Sequence, residues 1–154
     1  MSRHFRFPSD RLQKLFKAQK RLREGSELKW KDEGTRGKSL KLLLDMVDGP
    51  FVDFILHASA GNLTDPTTYR AALVLEGESV RGVDYNNIER SKFYRGYIAK
   101  GWHENIIDPN LASTDLNRNR HLAIENFAPT DLTDFLRKLC HLWHIDLAFE
   151  EDLL

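Results

Sequence analysis

The chain has 154 residues, of which 41% are hydrophobic and 30% are charged, a composition typical of a folded domain and not of a disordered segment. Its 23 basic and 23 acidic residues balance, so the net charge does not indicate a nucleic-acid or membrane partner. The longest apolar run, residues 71–75, is much shorter than the roughly 20 residues of a membrane-spanning helix. With one cysteine and no hydrophobic signal segment after Met1, we expect a cytoplasmic protein without a membrane partner.

The N-terminal part of the chain is strongly basic and is expected to begin with a helix from about Asp10 to Glu24. Residues 8–10 offer N-cap chemistry ahead of this helix, and Gly25 supplies a stop. Lys14, Lys17 and Arg21 lie on its polar side, within residues 1–45, whose 13 basic and 6 acidic side chains give a net charge of +7. The face expected to pack in the core repeats every 3.6 residues and consists of Leu12, Leu15, Phe16, Gln19 and Leu22.

The middle of the chain has the alternation and the turn residues of β-strands. Asp48-Gly49 predicts a tight turn, and Gly77 is expected to end or bend a strand that residues 80–87 extend. The polar run at residues 84–87 is interpreted as a turn. Strands are predicted at residues 28–31, 39–47, 51–58, 69–75, 93–107 and 121–127.

A second helix is predicted from about Asp131 to Trp143, with Cys140 at the margin of its apolar stripe. At that position Cys140 should react slowly with thiol reagents and have a raised pKa. The order helix, successive strands, helix predicts an α+β fold, a mostly antiparallel sheet of about five strands with an N-terminal and a C-terminal helix packed on it. Residues 1–154 are expected to form this single domain, with frayed ends at 1–8 and 147–154. The stripe of the second helix consists of Leu132, Phe135, Leu136, Leu139, Leu142 and Trp143.

Motifs for common cofactors and metals are missing from the sequence. It contains no dinucleotide-binding fingerprint, phosphate-binding loop, nucleophile elbow or zinc-protease motif. His141 and His144 have a spacing that can chelate on a helix, but structural zinc needs two further ligands, and no motif supplies them. We therefore predict no metal site and no cofactor.

Two histidines near basic side chains form the candidate catalytic site, which consists of His103, His121, Lys100 and Arg120. One histidine would accept the proton of an RNA 2′-hydroxyl, and the other would protonate the leaving oxygen. The cations would stabilise the phosphate in the transition state. Because both histidines lie in or beside predicted strands, they can approach each other across the sheet. This pattern gives the hypothesis of a metal-independent, toxin-like ribonuclease, and the alternative is two ordinary strand histidines with unrelated hydrogen bonds.

Two basic regions are candidate binding surfaces. The first is the polar face of the predicted N-terminal helix, and the second is the aromatic and basic segment at residues 92–102, of a kind that can stack nucleobases. The leading interpretation is a non-enzymatic accessory domain that binds a protein partner through the basic helix or a sheet edge. Nucleic-acid binding is the second interpretation and the ribonuclease the third. The candidate binding residues are Lys14, Lys17, Arg21, Arg95, Tyr97 and Trp102.

Overall fold

A mostly antiparallel sheet of nine strands organises the described part of the chain. The computed structural model describes residues 9–34, 37–47, 54–86, 100–107 and 119–147, with only the backbone at positions 9, 119 and 120. The helices are α1 (Ser9–Lys17) and α2 (Leu132–Trp143), and a short 3-10 helix occupies Pro66–Thr68. The strands are β1 (Lys20–Leu22), β2 (Lys31–Asp32), β3 (Lys38–Met46), β4 (Phe54–Ala60), β5 (Tyr69–Leu75), β6 (Glu78–Asn86), β7 (Gly101–Ile107), β8 (Asn119–Ala123) and β9 (Ile145–Asp146).

The order of strands across the sheet is β8-β7-β6-β5-β4-β3-β1-β9, with β2 paired to β3 beside this path. The α+β class matches the prediction, but the estimate of about five strands is wrong for the described residues. Strands β1, β2 and β9 have only two or three residues each, too few to show an alternating pattern in the sequence. Within the described residues, every pair of neighbouring strands is antiparallel except β1 with β9, which is parallel.

The N-terminal helix is shorter than the sequence predicts. It ends at Lys17, and the chain then forms β1, which pairs with β3, so the expected continuation to Glu24 is wrong. The first part of the predicted apolar face is correct, because Leu12, Leu15 and Phe16 are buried. Gln19 lies outside the helix, between α1 and β1.

The early end of α1 coincides with a fully buried lysine. The Lys20 side chain is 0% exposed, and its ammonium group donates to the carbonyls of Phe16 at 3.2 Å, Ala18 at 2.9 Å and Trp143 at 3.1 Å. A cation at the carbonyl ends of helices is favourable because it satisfies acceptors that have no helical partner. Burial, followed by the charge of Arg81, lowers the pKa of Lys20 to about 8. Lys20 therefore joins the C-terminal ends of α1 and α2.

Strands β5 and β6 form a hairpin. The strand ends just before Gly77, as one of the two expectations has it, but residues 80–86 return antiparallel to β5 and do not extend it. Both residues of the hairpin's two-residue loop, Glu76 and Gly77, have positive φ angles of 48° and 81°, as such tight hairpins require. The expected turn at residues 84–87 is also wrong, because residues 84–86 belong to β6. A bulge between the two strands leaves Val80 as an extra residue, since Ser79 pairs with Val74 and Arg81 pairs with Leu73.

The two helices contribute to one buried core on one face of the sheet. Alternate side chains of β3, β4 and β5 enter this core, and α2 adds its apolar stripe, including Cys140. Burial raises the pKa of the Cys140 thiol to about 12, which agrees with the expected unreactive position. The other side of the sheet, called the open face below, displays the intervening residues of each strand. Neither helix in the described ranges has the length and apolarity needed to cross a membrane.

The core assignment predicts how stability responds to charge. Leu139 is 0% exposed, so Leu139→Asp should lower the free energy of unfolding by roughly 3 kcal/mol or more, because it buries an unpaired carboxylate. Leu15→Asp should have a similar effect, whereas Lys17→Glu on the exposed side of α1 should change stability by about 0.5 kcal/mol at most. Urea unfolding monitored by circular dichroism measures all three. Equal losses for Lys17→Glu and Leu139→Asp would contradict this core.

Candidate functional site

Four polar side chains lie together on the open face of strands β6, β7 and β8, and we call them the open-face cluster. Asp84 of β6 is the register partner of His103 in β7. Two residues further along β7, Asn105 is the register partner of His121 in β8. Because side chains alternate along a strand, these positions share a face while Glu104 between them points to the helices. The rings of His103 and His121 have centroids 5.8 Å apart.

Hydrogen bonds connect the whole open-face cluster. Nε2 of His103 donates to Oδ1 of Asp84 at 2.8 Å. The amide nitrogen of Asn105 donates to the same carboxylate oxygen at 3.3 Å, and the amide oxygen of Asn105 lies 2.5 Å from Nδ1 of His121. His121 Nδ1 is the donor in that last bond, since an amide oxygen can only accept. The two histidines are thus linked through Asp84 and Asn105.

The cluster shifts the pKa values of its two histidines in opposite directions. Burial of His103 disfavours its charged form, but hydrogen bonding and the charge of Asp84 outweigh burial and raise the pKa of His103 above 6.5. Burial of His121 and the nearby charge of His103 lower the pKa of His121 below 6.5. Burial would raise the pKa of Asp84, yet its hydrogen bond and ion pair with His103 lower it below 3.8. Around pH 6.5 the cluster therefore contains an anionic Asp84, a cationic His103 and a neutral His121.

This charge distribution gives the two histidines different chemical roles. A neutral His121 with its proton on Nδ1 has its lone pair on Nε2, which is the arrangement of a general base. His103 holds a proton at Nε2, while its Nδ1 is buried and has no hydrogen-bond partner among the described residues. Histidines whose environments separate their pKa values in this way are suited to act as an acid and base pair.

A trough borders the open-face cluster on the β5 side. Ala72 and Gly82 are register partners, and these two small residues leave a cavity of about 170 Å³ beside Asp84 and Asn105. An added Cβ at Gly82 would lie 3.2 Å from the Ala71 carbonyl oxygen and 3.8 Å from the Asn105 amide nitrogen. The exposed Arg70 also lines this cavity, and its charge favours the ionised form of Asp84.

Charged and aromatic side chains hold the same strands from the helix face. Arg81 forms an ion pair with the buried Glu104, and the indole nitrogen of Trp143 donates to the same carboxylate at 2.7 Å. The Arg81 guanidinium also lies over the rings of Phe16, at 5.1 Å, and Trp143, at 5.8 Å. These contacts fix β6 and β7 directly behind the open-face cluster.

Of the predicted catalytic residues, the structure brings His103 and His121 together. Lys100 is exposed and precedes β7. The backbone of Arg120 pairs with Ile106, and the side chain of Arg120 lies outside the described part of the chain.

The predicted binding residues that the structure describes do not form one surface with the histidines. Trp102 lies on the helix face, where its ring packs edge-on against Tyr85 and Phe127, and Arg95 and Tyr97 lie outside the described residues. Lys14 and Lys17 are exposed on α1, whereas Arg21 is exposed on β1. The expectation that Lys14, Lys17 and Arg21 share one helix face is therefore wrong.

Sequence reasoning missed the contributions of Asp84 and Arg70. The polar run around Asp84 resembles a turn, and only its pairing with His103 shows that it belongs to a strand. Arg70 is the second residue of the strand predicted at residues 69–75. It lies between buried Tyr69 and buried Ala71, and this alternation places its side chain on the solvent side. That alternation was the available signal for Arg70.

Proton titration by NMR tests the cluster directly. The His103 ring signals should titrate above pH 6.5 and those of His121 below it, in accordance with the two pKa shifts. In Asp84→Asn the carboxylate is lost while burial remains, so the pKa of His103 should fall. Asp84→Asn also removes the carboxylate charge that raises the pKa of His121, but the charge of His103 has the larger effect, so its loss should make the pKa of His121 rise. Asp134→Asn on α2 is the control, and identical titration curves in Asp84→Asn and wild type would contradict the network.

The functional interpretation of the open-face cluster rests on its geometry and not on a resemblance of the chain to known proteins. Comparison with known proteins finds no matching family model, curated protein or solved structure for this chain.

Proposed function

We propose that the protein is a metal-independent ribonuclease whose acid and base are His103 and His121. The observation that supports this proposal is the pairing of the two imidazole rings, 5.8 Å apart between centroids, within one hydrogen-bonded cluster on the open face. Histidine pairs with separated pKa values can move the two protons that RNA cleavage requires. The cytoplasmic location expected from the single cysteine is part of this proposal.

In the proposed reaction His121 removes the proton from a ribose 2′-hydroxyl through Nε2. The 2′-oxygen attacks the adjacent phosphorus, the bond from phosphorus to the 5′-oxygen breaks, and His103 donates its Nε2 proton to that leaving oxygen. Since Asp84 accepts a hydrogen bond from this N–H group in the free protein, at 2.8 Å, the leaving oxygen has to take the place of the carboxylate oxygen. The products are a 2′,3′-cyclic phosphate and a free 5′-hydroxyl, with His121 cationic and His103 neutral until they exchange protons with water. In this proposal Arg70, which lines the cavity beside Asp84, stabilises the charge on phosphorus.

The directions of the two pKa shifts favour this assignment of roles. The base must be neutral, which holds above the lowered pKa of His121, and the acid must be protonated, which holds below the raised pKa of His103. Both conditions are met together across a window that includes pH 6.5. The reverse assignment would leave only a small fraction of molecules in the active state.

A fluorescent RNA incubated with the protein in excess chelator tests the proposal. Wild-type protein should cleave it with a rate maximum between the pKa values of His121 and His103 and leave a cyclic phosphate, while the corresponding DNA should remain intact because it has no 2′-hydroxyl. His121→Ala and His103→Ala should each lower the rate by about 100-fold or more, the usual contribution of a general acid or base. His141→Ala, which removes an exposed histidine from α2, should retain the wild-type rate.

Two results would contradict the ribonuclease assignment. One is intact RNA under all conditions, including a pH series and several sequences. The other is cleavage that persists in purified His121→Ala, since that activity would come from a contaminant or from another site.

The second candidate function is the binding of a protein partner through the basic N-terminal region or a sheet edge, and it stays a prediction. Lys14, Lys17 and Arg21 are exposed, and β8 is a terminal strand of the described sheet, with Leu122 51% exposed. Such an edge can pair with a strand of another chain.

Replacing Lys14, Lys17 and Arg21 by Glu separates this function from a structural role. Exposed charges contribute little to folding, so the melting temperature should stay almost unchanged. Binding to a copurifying partner, measured by calorimetry, should be lost. Full retention of that binding would show that these three cations form only a solvated surface.

A further inference from the structure

A row of register partners crosses six strands of the open face and leads to the catalytic pair. Because adjacent strands lie about 4.8 Å apart, its five steps extend over about 24 Å. The row starts at an exposed lysine on β3, passes over the trough between β5 and β6, and ends at the proposed base on β8. Its members are Lys41, His57, Ala72, Gly82, Asn105 and His121.

Positive charge and apolar surface lie side by side along this row. Lys41 is an exposed cation on β3, at the end of the row away from His121, and Arg70 is an exposed cation on β5, beside the trough. A parallel row of register partners, Leu43, Ile55 and Val74, is partly exposed, with Leu43 at 37%. The open face thus offers cations for phosphates next to aliphatic side chains on which nucleobases can pack.

We propose that single-stranded RNA binds across the open face, perpendicular to the strands, with its phosphates on Lys41 and Arg70 and the cleaved linkage at the open-face cluster. This inference rests on the proposed ribonuclease function and names its substrate class and binding track. A length of about 24 Å accommodates on the order of four nucleotides, the low end of site sizes for single strands bound on β-structures. The trough at Ala72 and Gly82 is the passage from the cationic end to the acid and base.

The anionic member of the cluster does not prevent the approach of a phosphate. Asp84 is paired with cationic His103 at 2.8 Å and lies within the field of Arg70, so these groups together have a net positive charge. The unpaired bases of a single strand can reach the aliphatic row, whereas in a duplex they are stacked inside the helix. Preference for a single strand therefore follows from the arrangement of the two rows.

Fluorescence anisotropy with a non-cleavable probe tests the track separately from the chemistry. The probe is a randomised single-stranded RNA of about twelve nucleotides, within the range of known single-strand sites, with 2′-O-methyl groups that remove the nucleophile. Lys41→Ala/Arg70→Ala should raise Kd at least about tenfold and reduce the slope of log Kd against log salt by about 1.4, or 0.7 for each lost phosphate contact. Arg137→Ala/Lys138→Ala removes two cations from α2 and should leave Kd within about twofold.

A third variant tests the trough without changing charge. Ala72→Ile fills the space opposite Gly82, and it should raise Kd at least about tenfold, with an unchanged melting temperature, because it blocks the passage. A Kd equal to that of wild type would overturn the passage through the trough.

The outcomes separate the track from the ribonuclease assignment. Probe binding that depends on Lys41 and Arg70 but not on the α2 pair supports the track, even if the cleavage assay fails and the ribonuclease assignment with it. If cleavage depends on His121 but probe binding does not depend on Lys41 and Arg70, the track is overturned and the ribonuclease assignment stands. If probe binding is lost in Lys14→Ala/Lys17→Ala but not in Lys41→Ala/Arg70→Ala, the track is wrong and RNA binds to the α1 surface. Tighter binding of a matched duplex would overturn the preference for a single strand.

Discussion

Alternation of side chains along β7 is the constraint on which both faces of the molecule depend. His103, Glu104 and Asn105 are consecutive, so the outer two lie on the open face and the middle one faces the helices. Glu104 is buried with Arg81 and the Trp143 indole, and breaking such a buried pair typically costs about 3–5 kcal/mol. A slip of one residue would turn His103 and Asn105 toward the helices and Glu104 toward the open face, so the core ion pair fixes the register that the open-face cluster needs.

The bulge in β6 brings this strand into the register with β7 that the ion pair and the open-face cluster both need. The extra residue, Val80, enters the core, and Arg81, the register partner of Ile106, forms its ion pair diagonally with Glu104. Beyond the bulge, Gly82 and Asp84 fall on the open face, opposite Asn105 and His103 respectively. Thus the same bulge allows Arg81 to pair with the buried Glu104 and places Asp84 beside His103 on the open face.

The sequence predicts those features that depend on local periodicity. The alternation in β3 and β5 and the stripe of α2 lie within a residue or two of their expected positions, because each segment is long enough to show its period. The approach of His103 to His121 was also predictable as a contact between neighbouring strands. In contrast, α1 ends early where Lys20 bonds to the end of a helix 123 residues away, and Asp84 joins β6 because its partners lie on β7. Neither partner is visible in a local window of sequence.

The position of β1 between β3 and β9 also affects how the protein folds during synthesis. Lys20 pairs with Ile145 and donates to the Trp143 carbonyl, so the short first strand gains its second neighbour only after most of the chain exists. At about 5–20 residues per second, a ribosome needs on the order of ten seconds to make the intervening segment. Contacts of such large sequence separation also have a high entropic cost of closure, which slows their formation. Strands β3 to β6, which are consecutive and antiparallel, can assemble early on the nascent chain. The Lys20 ammonium group can join the C-terminal ends of α1 and α2 only after α2 has been made.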